Sequence, residues 1–117
     1  MKVEPVLAKL NAIRKDTQGE GGLEEKAIYH AFCFISYEVG PFTGFVEAGE
    51  PPSEKKGTAS AGGAEKLLEV LEELREEVSG DEKDMEFIAL EKAVSFISAV
   101  PGDFQHYLNE AGVDISE

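Results

Sequence analysis

The sequence contains no tryptophan, one cysteine (Cys33), two histidines (His30 and His106), and 11 basic residues against 24 acidic ones in 117. Each scarcity closes a route. A single cysteine cannot form an intramolecular disulfide, so nothing here argues for an oxidising compartment. Two histidines and one cysteine cannot complete a zinc site without carboxylates. No segment approaches the roughly 20 apolar residues needed to span a bilayer. The first 16 residues spread their charges too evenly for a secretory leader. One soluble, cytoplasmic domain spanning 1–117 is the expectation.

The shortage of base is uneven. Residues 1–59 hold seven Lys or Arg against nine Asp or Glu, whereas residues 60–117 hold four against fifteen. An acidic surface of this kind repels nucleic-acid phosphates and anionic lipid. Neither direct nucleic-acid binding nor membrane association is therefore expected. A basic protein is the partner that such a surface would attract, although acidic surfaces also serve solubility alone.

What the chain does have is helical periodicity. Val6, Leu10 and Ile13, with Leu7 beside them, make an apolar stripe over residues 5–16, and Pro5 suits a first helical turn. Three glycines among residues 19–22 break it. The central helix is expected over 23–39, and its stretch 27–39 is the most apolar in the chain. Ala27, Ile28, Ala31, Phe32, Phe34, Ile35 and Val39 share its broad apolar face, while Tyr29, His30, Cys33, Ser36 and Tyr37 occupy the other arc. Glu38 falls by angle inside the apolar arc, between Ala27 and Ala31. Gly40 and Pro41 are expected to end this helix.

Six glycines and three prolines lie within residues 40–63. They predict one long irregular loop, with Phe42, Phe45 and Val46 tucked back onto the core. Residues 64–79 read as a helix with an apolar side and a glutamate side. Residues 82–100 read as a broadly apolar helix that pairs with the central one, capped by Asp81 or Ser79. Pro101 and Gly102 stop it, and Asp103 caps a short last helix over 104–111. The expected architecture is all-α: a small bundle of four helices plus a short C-terminal fifth.

Several residue patterns bear on chemistry. His30 and Cys33 are three apart on one helix, close enough to touch, but no nucleophile-elbow glycines accompany them. Asp103 and His106 have carboxylate–histidine spacing, yet a di-iron bundle needs that spacing twice, and Ala27 stands where the second carboxylate would precede His30. Glu72, Glu73 and Glu76 resemble half of the magnesium motif of MazG-type all-α pyrophosphohydrolases. The complementary half is missing, since Val94 stands three residues after Glu91. Glycines before residue 64 lack the lysine and hydroxyl of a phosphate loop. No metal, cofactor or catalytic residue is therefore assigned, and an enzyme is not the favoured class.

Two function classes follow. The first is a non-enzymatic interaction or regulatory module that presents Glu69, Glu72, Glu73, Glu76 and Glu77 to a basic partner. The second is a small-molecule binder or enzyme with a pocket between the central helix and the 40–63 loop, lined by Tyr29, His30, Tyr37 and Glu38. The wide apolar arc of residues 82–100 adds a homo-oligomer as a further expectation.

Overall fold

The computed structural model describes residues 1–55, 62–78 and 84–112, and among these every regular element is a helix. There are six: α1 (Val3–Thr17), α2 (Leu23–Tyr37), α3 (Val39–Ala48), α4 (Gly62–Glu77), α5 (Met85–Ala99) and α6 (Pro101–Ala111). Four of them make the bundle. α1 packs on α2 and α5, and α4 packs on the same two, so the contacts run in a ring. The central helix and α5 were expected to pair, but each instead packs mainly against α1 and α4 and they touch only lightly. α6 closes over α4, and α3 bridges from α2 toward α1 and α5.

The core follows from the apolar stripes. Val6, Leu10 and Ile13 of α1 meet Ala27, Ile28, Ala31 and Ile35 of α2, Leu67 and Leu71 of α4, and Ala89, Leu90, Ala93 and Ile97 of α5. Phe96 is the aromatic hub. Its ring centroid lies 6.2 Å from Phe34, 5.2 Å from Phe42 and 5.8 Å from Phe45, and so joins α2, α3 and α5. Most of the apolar breadth of α5 is covered within one chain, through Ala89, Leu90, Ala93, Val94, Phe96 and Ile97. The large apolar side chains left exposed among the described residues are Met1, Tyr29, Tyr37 and Val39, none of them on α5. Met85, Phe87 and Ile88 at its start are half-buried.

The expected loop over 40–63 is partly a helix. α3 occupies Val39–Ala48 despite Gly40, Pro41 and Gly44. Pro41 sits in the first turn, where its missing N–H breaks no intrahelical bond. Two helical glycines cost about 1 kcal/mol each, while burying Phe42 and Val46 returns about 2 kcal/mol each. Apolar spacing of i and i+4 outweighs composition. The short break at Glu38 leaves its carbonyl accepting from Phe42 N at 2.9 Å, so α2 runs almost directly into α3. After α3 the chain is irregular as far as Lys55, and residues 56–61 lie outside the described set.

The two later boundaries also shift. α5 starts at Met85, with Asp84 as its cap, the carboxylate accepting from Glu86 N at 2.9 Å. The caps expected at Asp81 or Ser79 lie outside the described residues. α6 starts at Pro101 rather than at 104, because proline is suited to a first helical position. Asp103 is consequently inside the first turn and does not cap the helix.

Helix starts are satisfied from far away in the chain. Glu47 of α3 accepts from Val3 N of α1 at 2.9 Å. Gln105 of α6 accepts from Ala64 N of α4 at 3.0 Å, in a buried setting. Glu54 accepts from Gly102 N of α6. Between α1 and α2 the carboxylate of Glu25 accepts from Gly19 N at 2.8 Å and Gly21 N at 2.7 Å, which holds its pKa below the usual glutamate range. Both glycines have positive φ, 92° and 78°, which a side chain would strain.

Two substitutions test this account by urea unfolding. Gln105→Ala should cost about 1–2 kcal/mol, the size of a lost cap that leaves a buried N–H unpaired. Phe96→Ala should cost about 3–5 kcal/mol, enough to consume much of a small domain's stability.

Candidate functional site

A cavity of about 370 Å³ opens where the end of α2 meets α6 and the chain before residue 56. Phe34, Tyr37 and Glu38 form its α2 side, Lys55 its rim, and α6 supplies most of the remaining wall through Asp103, His106, Tyr107 and Glu110. Residues four apart on α6 face the same way, which is why Asp103 with Tyr107, and His106 with Glu110, reach one opening. Tyr107 stacks nearly parallel on Phe104, at 9° and 6.2 Å, and Phe104 is fully buried. The wall is therefore anchored in the core.

The irregular segment is pinned to α6 by a reciprocal exchange. Asp103 accepts from Lys55 N with both carboxylate oxygens, each at 3.1 Å, and Glu54 accepts from Gly102 N in return. Asp103 is buried, and its charge gains from those bonds and from its place in the first turn of α6. Further along the rim, Lys55 Nζ lies 3.4 Å from Glu38 Oε1, and His106 Nε2 lies 3.1 Å from Glu110 Oε1.

The four expected pocket residues divide. Tyr37 and Glu38 line the cavity. His30 does not; its Nδ1 lies 3.1 Å from Tyr107 Oη, so it supports the wall from behind. Tyr29 borders a separate shallow groove with Arg14, Gln18 and Glu25, and meets the His30 ring edge-on at 5.0 Å. The α6 contribution was not anticipated at the cavity. Its signal was present in the spacing of Asp103, Tyr107 and Glu110, but only the docking of α6 beside Tyr37 brings those residues to an opening.

Burial sets the electrostatics of this wall. It pushes the Tyr107 hydroxyl well above the usual tyrosine range, and the neighbouring Cys33 thiol adds to the shift. Tyr29 is raised chiefly by its hydrogen bond with Cys33. His30 is lowered by burial and, secondarily, by the charge of Lys26. Cys33 thus shares its contacts with two tyrosines, while His30 is committed to Tyr107. Among the described residues, no three His, Cys, Asp or Glu side chains converge as a metal site would require.

The glutamate face lies on α4. Glu69, Glu73, Glu76 and Glu77 are exposed and Glu72 is half-buried. At 100° per residue these five span an arc of about 140°. Arg75 of the same helix turns instead to Glu91 of α5, at 3.0 Å.

The His30 environment has a consequence for stability. A depressed folded pKa means that the unfolded chain binds more protons as the pH drops through the ordinary histidine range, so stability rises with pH there. Unfolding free energy should fall between pH 7 and pH 5. His30→Phe should flatten the part of that slope due to the imidazole, measured by urea denaturation at each pH against wild type. An unchanged slope would contradict the buried, neutral imidazole.

No helix among the described residues is long and apolar enough to cross a membrane. Comparison with the curated proteins and with the solved structures finds no match. A family model does match, over residues 1–111, and so covers all six helices with both the cavity and the glutamate face. The chain belongs to that family, described as vWA-MoxR associated protein middle region (VMAP-M) 5.

Proposed function

We propose that this chain is a non-enzymatic protein-interaction module that presents the glutamate face of α4 to a basic partner. The exposure of Glu69, Glu73, Glu76 and Glu77 on one side of a continuous helix carries the reading. Such a face steers a cationic surface into register and raises the association rate more than it deepens the complex. The family description names association with vWA and MoxR, which makes proteins of those two kinds the partners to examine first. A cytoplasmic setting, with no direct contact to nucleic acid or membrane, belongs to the same reading.

A second reading is favoured by the cavity. Its volume of about 370 Å³ falls within the range of small-molecule sites. Tyr37 and Glu38 would contact such a ligand directly, with His30 holding Tyr107 in place. Tyr29 would act only through its packing on His30.

The glutamate face is tested by titrating the chain against the vWA and MoxR proteins of the same organism. Wild type should bind one of them, with affinity that falls steeply as salt is raised. The triple variant Glu69→Gln, Glu73→Gln, Glu76→Gln should bind about tenfold or more weakly, for roughly 0.5 kcal/mol lost per charge. Equal affinity of wild type and variant, or no binding by wild type, would overturn the proposal.

A further inference from the structure

The cavity beside Tyr37 has the chemistry of a cation site. Two tyrosine rings, Tyr37 and Tyr107, meet as a tilted pair at 5.9 Å and 52°, too close to hold a cation between them but able to offer it ring surface at the opening. Tyr37, the last residue of α2, is 77% exposed, so its ring is accessible to a partner. Three carboxylates border the same space, from Glu38, Asp103 and Glu110, against one ammonium, from Lys55. The backbone N–H of Lys55 is shared between both Asp103 oxygens, and the outer acceptors are Glu38, paired with Lys55, and Glu110, paired with His106. Glu38 already holds a cation, since the Lys55 ammonium lies 3.4 Å from it. That side chain is 61% exposed, so the pair is weak and displaceable. The chain's own lysine thus marks where a positive group sits.

We infer that this cavity receives an arginine side chain of a protein partner, its guanidinium lying against Tyr37 and Tyr107 and displacing Lys55 from Glu38. Arginine suits the space better than lysine because its planar head can stack on an aromatic ring and meet a carboxylate with two donors at once. The inference rests on reading the chain as a module for a basic partner, and gives that partner an anchor away from the α4 face.

The probe is N-acetyl-arginine amide, titrated into the full chain and followed by amide chemical shifts. Its neutral isostere N-acetyl-citrulline amide is the control. The arginine compound should move the amides of Tyr37, Lys55 and Tyr107 saturably, and bind at least about fivefold more tightly than citrulline. Tyr37→Leu and Glu38→Gln should each weaken it about two- to fivefold. Lys55→Ala removes the competing ammonium but keeps the N–H to Asp103, and should tighten binding about twofold. Equal binding of citrulline, unmoved pocket amides, or insensitivity to all three substitutions would overturn the inference. Failure here is separable from failure of the α4 reading. A silent probe with charge-sensitive partner binding removes the arginine site alone; a bound probe with a partner indifferent to the α4 triple variant removes the glutamate face alone.

Discussion

The exchange between Glu54 and Gly102 N–H, and between Lys55 N–H and Asp103, is the constraint on which the site depends. It joins residues 48 positions apart. The start of α6 presents backbone donors with no intrahelical partner, and the irregular segment presents a carboxylate and a donor of its own. Satisfying both at once fixes where the segment crosses the helix. Lys55 is thereby delivered to Glu38, and α6 is held with Tyr107 beside Tyr37. Without this clasp the opening would lose its rim.

The same logic recurs at other helix starts. α1 has no side-chain cap of its own, and Glu47 supplies one from α3. α4 receives Gln105 from α6. Isolated helices of 10 to 16 residues are marginal in water, so tertiary packing must hold them. A cap borrowed from another helix makes each helix conditional on its neighbour being in place. The rings of Phe42, Phe96, Phe34 and Phe104 link α3 to α6 in series, so the α1–α3 and α4–α6 contacts share one core.

These couplings also decide what could be read from the chain in advance. Stripes such as Val6, Leu10 and Ile13, or Leu67 and Leu71, are local and periodic, so the helices that carry them and the all-α class were legible. α3 was not, because Gly40, Pro41 and Gly44 speak for a loop, and only a core waiting to receive Phe42 and Val46 reverses their vote. The start of α6 was misread for a related reason. Asp103 looks like a cap when only its neighbours are visible, and its true role requires Lys55. At the site, Tyr37 and Glu38 could be chosen because they sit at the end of an apolar helix. For His106 and Glu110 the helical spacing shows only that they share a face of α6, and the docking of α6 decides that this face meets Tyr37.

Burial sets the state of the groups behind the cavity. Catalytic acids and bases work best with pKa values brought near neutrality. Here burial drives Tyr107 upward and His30 downward, each away from the working pH and each toward its uncharged form. Two neutral groups 3.1 Å apart form a rigid hydrogen-bonded brace. That brace holds the Tyr107 ring, and a ring already in place spares a guest part of the entropy of ordering it. The charges that a guest would meet belong to Glu38 and Glu110 at the rim, which rest against Lys55 and His106 in its absence. A neutral interior behind a charged mouth suits the arginine proposed for this cavity.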